Sequence, residues 1–125
     1  MKNVIVTGAS RGIGFELIQL FAKNNYNVLA ISRNIDPIEK LQVKNITSIS
    51  ADLSEASDLE RISTYIKDNL NQIDILIHNA GALINKPFTE LSSKDFLNVY
   101  KVNVFAVAEL TKLSIPYLKK GSHVV

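Results

Sequence analysis

The sequence has no cysteine, only two histidines and no apolar run long enough to cross a membrane. Without cysteine, disulfides, thiolate catalysis and cysteine-based metal sites are all excluded. His78 and His123 have no partners at metal-ligand spacing, so we predict no metal site. The amino-terminal stretch MKNVIVTG contains no apolar signal region, and we therefore expect a cytoplasmic protein that does not bind membranes.

An excess of charge of one sign is also missing. The 14 lysines and arginines and the 12 aspartates and glutamates are mixed along the chain, so no nucleic acid is expected as a partner. Apolar residues make up 46% of the sequence, which is the balance of an ordinary globular protein. The length of 125 residues predicts one domain over residues 1–125.

Short β-branched runs alternate with amphipathic segments, and this alternation predicts an α/β fold. The predicted strands span residues 3–7, 28–32, 46–51 and 74–78, and a fifth begins at 124–125. Continuous apolar strands separated by helices are typical of a parallel sheet covered on both faces. We expect a doubly wound, Rossmann-type sheet with strand order 3-2-1-4 and only the start of the fifth strand.

Two of the predicted helices have a distinctive apolar pattern. The first helix is expected to bury one face at helical spacing, made by Ile13, Leu17, Leu20 and Phe21. A long helical region runs from Ser92 to about Leu118 and begins with the capping-box-like sequence SSKD. The middle of this helical region is apolar on nearly every side. We therefore expect both the sheet and another partner to cover it.

The stretch VTGASRGIG, residues 6–14, places three glycines directly behind the first predicted strand. Gly8 permits a tight exit from the strand, and Gly12 and Gly14 remove side chains where the next helix approaches a ligand and the neighbouring strand. In a doubly wound sheet, ligands bind outside the carboxyl ends of the strands, and free N–H groups at a helix start attract a pyrophosphate. A glycine-rich turn without any ligand is the alternative.

Four landmarks occur in order along the chain. The glycine spacing is T-G-x-x-x-G-x-G, Asp52 follows the third strand, the sequence HNAG at 78–81 follows the fourth, and Asn103 lies in the long helix. In these landmarks the chain resembles the short-chain dehydrogenase/reductase family over its whole length. His78 is the one departure, because the family's motif is N-N-A-G.

The resemblance implies a nicotinamide dinucleotide cofactor and an oxidoreductase that acts on a small carbonyl or alcohol substrate. It assigns Asp52 and Leu53 to the adenine pocket, residues 79–81 to the nicotinamide-ribose side, and Asn103 to a catalytic proton relay. A simple turn role for Asp52 and a locally hydrogen-bonded core position for Asn103 are the alternatives. The full set of predicted cofactor contacts is Gly8, Ser10, Arg11, Gly12, Ile13, Gly14, Ser32, Arg33, Asp52, Leu53, Asn79, Ala80 and Gly81.

The second strand ends in Ser32-Arg33 rather than in the acidic residue that binds ribose hydroxyls in NAD-binding sheets. Arg33 is suited to hold a 2′-phosphate, and Arg11 resembles the second basic residue of NADP-preferring family members. A hydrogen bond to a charged group contributes about 1.5–3 kcal/mol, so we expect about a ten- to hundredfold preference for NADP over NAD. Two solvated surface arginines are the alternative.

The chain lacks the Tyr-x-x-x-Lys pair with which the family protonates the carbonyl oxygen. The residues four positions after Tyr26, Tyr65, Tyr100 and Tyr117 are alanine, asparagine, valine and glycine. In the family this pair and a serine come after the fifth strand, so we expect the chain to be truncated before them. Two hypotheses follow: the cofactor-binding part of a reductase, or a non-catalytic dinucleotide-binding or interaction module.

Self-association is a further expectation. In the family the long helix commonly packs at a subunit interface, and a fourth strand without a full neighbour leaves a sheet edge that is able to pair with another chain. We therefore predict a homo-oligomer or poor solubility.

Overall fold

The computed structural model describes all residues from 1 to 125 and contains one five-stranded parallel sheet. Its strands are β1 (Asn3–Thr7), β2 (Asn27–Ser32), β3 (Ile46–Ser50), β4 (Ile73–Ile77) and β5 (Leu118–Val124). Their spatial order, β3-β2-β1-β4-β5, confirms the predicted Rossmann-type winding and places the fifth strand beside the fourth. The winding changes direction between β1 and β4, which is the position at which such sheets bind ligands.

Helices connect the strands on both sides of the sheet. They are α1 (Gly12–Lys23), α2 (Asp36–Glu39), α3 (Ala56–Asn69), α4 (Ser93–Tyr100) and α5 (Ala106–Ser114). A π-helical segment, Lys101–Phe105, joins α4 to α5, and short 3₁₀ turns lie at Phe88–Glu90 and Ile115–Tyr117. The predicted capping box is present at the start of α4, because Ser92 and Asp95 each accept a backbone hydrogen bond from the other. No helix combines the length and the apolar character that a membrane crossing requires.

Alternate residues of β1 point to opposite faces of the sheet and divide the core into two layers. The layer on the side of α3 and α5 is built around fully buried side chains, which include Ile5, Ile62, Ile66 and Leu110. The layer on the side of α1 and α2 includes Val4, Val6, Ile18 and Ile38. All five residues of β1 are buried, as is typical of a central strand in a parallel sheet.

The predicted apolar face of α1 is wrong at two positions. Ile13 and Leu20 are 73% and 57% exposed. The buried positions of the helix are instead Gly14, Ile18 and Ala22. The cause is the close approach of α1 to the sheet, since a Cβ atom on Gly14 would lie 2.3 Å from the carbonyl oxygen of Gly8. Only the face that carries the small residues fits against the sheet at this distance.

The predicted long helix is interrupted by the π-helical segment, and the fifth strand starts earlier than expected. Helical structure ends at Tyr117, and β5 pairs with β4 through Leu118 before it bulges. Gly121, with a φ of +93°, lies inside this bulge, and pairing resumes at His123 and Val124. Gly121, three residues after the predicted end of the long helix at Leu118, therefore occupies a left-handed position in an irregular strand.

Candidate cofactor-binding site

A cavity of about 810 Å³ opens at the carboxyl ends of β1 to β4, and its size is typical of small-molecule sites. The predicted contacts that line it are Gly8, Ser10, Arg11, Gly12, Ser32, Arg33, Asp52, Leu53, Asn79, Ala80 and Gly81. The predicted residues that do not line it are Ile13, Gly14 and Asn103. The structure adds wall residues that the sequence reasoning missed, namely Ile31, Asn34, Ala51, Ala82 and Val102.

Thr7, at the end of β1, joins the two loops on either side of the winding change. Its side-chain oxygen accepts hydrogen bonds from the backbone N–H groups of Asn79 and Ala80, both at 3.0 Å, and the side chain is buried. Thr7 is not among the site residues that the sequence motifs predict. The sequence did contain a signal for this role. A threonine at the end of a fully buried strand carries a hydroxyl that needs hydrogen-bond partners.

Asn79 ties the loop after β4 to the glycine loop. Its Nδ2 donates to the carbonyl oxygen of Gly8 at 3.0 Å. Gly8 has a φ of +62°, and a Cβ atom there would lie 2.8 Å from the Cα of Ala80. A Cβ on Gly14 would lie 2.5 Å from the same Nδ2. Glycine at both positions is therefore a condition for this contact between the two loops.

The first turn of α1 begins at the cavity. Arg11 is its N-cap residue, no side chain caps the N–H groups of this turn, and the turn contains no acidic residue. These N–H groups are therefore free to bind an anion. Gly12 has a φ of +59°, and a Cβ atom there would meet nothing within 4 Å, so the approach to the helix start is open. The two helix glycines thus differ, since Gly14 lies against the loops that follow β1 and β4, and Gly12 faces open space.

The cavity contains three ionisable side chains, Arg11, Arg33 and Asp52. Both arginines are exposed, and neither guanidinium forms an ion pair or a hydrogen bond within the chain. Asp36, the first acidic residue after β2, does not line the cavity. The cavity therefore has a net positive charge and a dipole that favours anions at the same end of the sheet.

Asp52 forms the turn that leads into α3. Its Oδ1 accepts hydrogen bonds from the N–H of Ser54 at 3.0 Å and from the hydroxyl of Ser54 at 2.7 Å. The turn role, the alternative from the sequence, is thus present in the structure. The residue also lines the cavity, so the two interpretations of Asp52 are compatible.

Asn103 lies in the π-helical segment and contacts the loop after β4. Its Oδ1 accepts a hydrogen bond from the N–H of Ala82 at 2.9 Å, and its Nδ2 donates to the carbonyl oxygen of the same residue at 2.8 Å. The residue is exposed rather than part of the core. Its neighbour Val102 lines the cavity, and only the tertiary structure brings this segment close to the strand ends.

His78 directly follows β4 and lies outside the cavity. Its Nε2 is 2.8 Å from the hydroxyl oxygen of Thr111 on α5, and the ring is half-buried. Burial lowers the pKa of His78 below its usual value of 6.5. Through this contact, His78 joins the loop after β4 to α5.

A sequence profile described as short chain dehydrogenase matches residues 2–125. The chain belongs to this family. The chain is 29% identical to the NADPH-dependent 1-acyldihydroxyacetone phosphate reductase of Saccharomyces cerevisiae, over 96% of this chain and 42% of that protein. The chain spans less than half the length of four curated relatives that it matches, between 33% and 45%.

Solved structures of the family share the fold of this chain. An alcohol dehydrogenase from the archaeon Thermococcus sibiricus, complexed with 5-hydroxy-NADP, superposes with a TM-score of 0.88 at 28% identity, over 99% of this chain and 56% of that one. A 4-hydroxyisoleucine dehydrogenase complexed with NADH superposes with a TM-score of 0.82 at 27% identity, over 90% and 47% of the two chains. These relatives are oxidoreductases.

Proposed function

We propose that residues 1–125 form the NADP(H)-binding domain of an oxidoreductase that transfers hydride between nicotinamide and a carbonyl or alcohol substrate. The observation that carries this proposal is the meeting of an uncapped helix start and two unpaired arginines in one cavity. The free N–H groups of a helix start suit a pyrophosphate, and a guanidinium suits a 2′-phosphate. The open space beside Gly12 leaves room for the ligand at that point.

Each part of the cofactor would meet its own group of residues. The glycine loop, with Ser10 and Ile13, would hold the pyrophosphate, and Ser32 and Arg33 would hold the 2′-phosphate. The turn at Asp52 and Leu53 would line the adenine side, and residues 79–81 would line the nicotinamide-ribose side. When bound, the nicotinamide supplies or accepts the hydride.

The preference for NADP rests on the arginines of this chain rather than on its relatives. The relatives include an NADPH-dependent reductase, a complex with 5-hydroxy-NADP and a complex with NADH. In this chain β2 ends without an acidic residue, and Arg33 lines the cavity directly after it. A charge-assisted hydrogen bond to a phosphate is about twice as strong as a neutral one.

Fluorescence titration of the chain with NADPH and with NADH tests the proposal. We expect NADPH to bind about ten- to a hundredfold more tightly, as a charged hydrogen bond to Arg33 predicts. Equal affinities would contradict the NADP preference, and binding of neither nucleotide would contradict the cofactor site itself.

A non-catalytic dinucleotide-binding or interaction module is the second candidate function. Residues 1–125 contain no Tyr-x-x-x-Lys sequence, so nucleotide binding is the one activity that both candidates expect of them. Following NADPH absorbance with a panel of small carbonyl compounds separates the two functions. Steady turnover by this chain would rule out the non-catalytic module, whereas nucleotide binding without turnover would support it.

We also propose that the exposed face of α4 and of the π-helical segment that follows it mediates self-association. Five large apolar side chains of this face are each between 46% and 56% exposed. They are those of Phe96, Leu97, Tyr100, Val104 and Phe105. A contiguous apolar face of this kind is typical of protein interfaces. The cytoplasmic location stays a prediction from the sequence composition, and the proton-relay role of Asn103 stays a prediction of the resemblance.

A further inference from the structure

A chain of hydrogen bonds runs outside the cavity and links two of the segments that line it. The hydroxyl of Ser50 donates to the carbonyl oxygen of Arg33 at 2.8 Å, and the carbonyl oxygen of Ser50 accepts from Nη1 of Arg61 at 2.9 Å. The same Nη1 donates to Oδ1 of Asp58 at 3.0 Å. Oδ2 of Asp58 accepts from the backbone N–H of Asp52 at 2.8 Å. Ser50, Asp58 and Arg61 do not line the cavity themselves.

At one end, this chain holds the backbone that carries Arg33. The last backbone hydrogen bond between β2 and β3 runs from the N–H of Ala51 to the carbonyl oxygen of Ser32 at 3.0 Å. Beyond it, the hydroxyl of Ser50 is the hydrogen-bond partner of the Arg33 backbone. The direction in which the Arg33 side chain leaves the sheet therefore depends on this hydroxyl.

At the other end, Asp58 holds the turn of Asp52. The N–H of Asp52, followed by the guanidinium of Arg61, lowers the pKa of Asp58 below its usual value of 3.8, so the carboxylate is charged at neutral pH. An exposed ion pair such as Asp58–Arg61 adds little stability by itself. What the carboxylate does supply is a fixed acceptor for the Asp52 backbone.

We propose that Ser50 and Asp58 are positioning residues of the NADP(H) site, Ser50 for the 2′-phosphate end through Arg33 and Asp58 for the adenine side through Asp52. This inference rests on the proposed function. A segment that is already held in its binding conformation loses less conformational freedom when the ligand binds. The two residues would therefore raise affinity without touching the nucleotide, and they would do so for different parts of it.

Calorimetric titration of the 125-residue chain with NADP⁺ and NAD⁺ tests the role of Ser50 and the role of Asp58, because the two ligands differ only in the 2′-phosphate. Ordering one flexible side chain costs about 0.5–1.5 kcal/mol, so Ser50→Ala should weaken NADP⁺ binding about two- to tenfold. Binding of NAD⁺ should not change in this variant. Asp58→Ala should weaken both ligands by the same factor, since the adenine is common to them.

The chain offers a matched control for Ser50. Ser48 lies two positions earlier on β3, and its hydroxyl bonds the carboxylate of Glu39 instead. Ser48→Ala should leave both affinities and their ratio unchanged. Ser50→Thr keeps the hydroxyl in an exposed strand position and should restore the NADP⁺ preference that Ser50→Ala loses. In Ser50→Ala, a general loss of stability would lower both affinities together and would not move their ratio. For Asp58, the matched variant is Asp58→Asn, which keeps an acceptor oxygen for the N–H of Asp52 and should restore both affinities. If Asp58→Asn behaves like Asp58→Ala, Asp58 is ruled out as a positioning residue.

The outcomes separate this inference from the proposed function. If the wild-type chain prefers NADP⁺ and Ser50→Ala keeps the full preference, Ser50 does not position Arg33, although the cofactor site stands. Ser50 is equally ruled out as a positioning residue if Ser50→Thr behaves like Ser50→Ala. If Asp58→Ala binds both ligands as tightly as the wild-type chain, Asp58 does not position the turn of Asp52. If the wild-type chain does not distinguish the two ligands, the NADP site fails and this inference fails with it.

Discussion

The side-chain amide of Asn103 holds the backbone of Ala82 by both of its ends, with hydrogen bonds of 2.9 and 2.8 Å. The two residues are 21 positions apart, and Ala82 belongs to the wall of the cavity. A Cβ atom on the preceding Gly81 would lie 3.2 Å from the same Oδ1. One asparagine in a π-helical segment thus fixes the loop that leaves β4.

Replacing Asn103 by leucine should therefore destabilise the chain. The change removes two hydrogen bonds and leaves the N–H and C=O of Ala82 without their partner, and we expect the free energy of unfolding to fall by about 1–2 kcal/mol. Urea unfolding followed by circular dichroism measures this change. Asn98→Leu, at an exposed position of α4, is the matched control. Equal stabilities of the two variants would show that the contact with Ala82 contributes nothing.

Arg33→Ala should weaken NADP(H) selectively. Because the guanidinium has no partner within the chain, its removal affects the bound ligand and not the fold. We expect a ten- to hundredfold loss of affinity for NADPH, about 1.5–3 kcal/mol, with little change for NADH. Lys40→Ala removes an exposed cation outside the cavity and is the control. An equal loss for NADPH and NADH would contradict a 2′-phosphate contact.

The two glycines at the start of α1 should respond differently to alanine. Gly14→Ala places a methyl group 2.3 Å from a backbone oxygen, and we expect a loss of about 3 kcal/mol or more because neither backbone segment is free to move. Gly12→Ala meets no atom and suffers only from its φ of +59°, which costs about 1–2 kcal/mol. Urea midpoints in the reverse order would contradict the close contact of α1 with β1.

Stability should depend on pH through His78. Burial lowers its pKa below 6.5 in the folded chain, so the unfolded state binds a proton more readily. Above pH 6.5, His78 is neutral in both states and does not reduce the free energy of unfolding. As the pH drops below that value, the unfolded state takes up the proton first and the free energy of unfolding falls. The pKa values of Asp58 and Asp95 lie below 3.8, so neither carboxylate titrates near neutral pH.

Urea unfolding between about pH 7 and pH 5 measures this dependence, because a histidine changes its charge in that interval. His78→Asn should flatten the profile. His123→Asn, on an exposed residue of β5, keeps His78 and should retain the wild-type slope. A wild-type slope in His78→Asn would assign the pH dependence to other groups.

The exposed face of α4 and of the π-helical segment Lys101–Phe105 should cause self-association. We expect light scattering to give a mass above the 13.9 kDa of one chain. Leu97→Glu places a charge within this face and should reduce the mass, because an unpaired charge is costly to bury in an interface. Leu20→Glu is a close control, since the two leucines are 57% and 56% exposed, on α1 and α4 respectively. A monomeric wild-type chain would refute the prediction.

The order of the strands was predictable because it depends on local patterns and on chain chirality. Residues 3–7 form β1 as expected, since a continuous β-branched run with a glycine turn behind it has few other conformations. Right-handed crossovers then leave little freedom in the winding. The same local patterns placed the glycine loop, Asp52 and residues 79–81 at one edge of the sheet, where they line a single cavity.

Contacts between distant residues were beyond such patterns. The buried face of α1 is selected by the distance between Gly14 and Gly8, although the apolar periodicity favours Ile13 and Leu20. A glycine shortly after a helical region is also the usual pattern of a helix end. Only the pairing of β5 with β4 shows that Gly121 belongs to a bulge.

The sequence by itself determined the type and order of the elements and the residues at their ends, because these follow from residue conformation and periodicity. Only the tertiary structure decided that Thr7 binds the loop after β4, that Asn103 binds Ala82, and that Ser50 holds Arg33. These contacts join residues between 17 and 73 positions apart. Their geometry depends on how the elements pack, and packing is a property of the whole chain rather than of any segment.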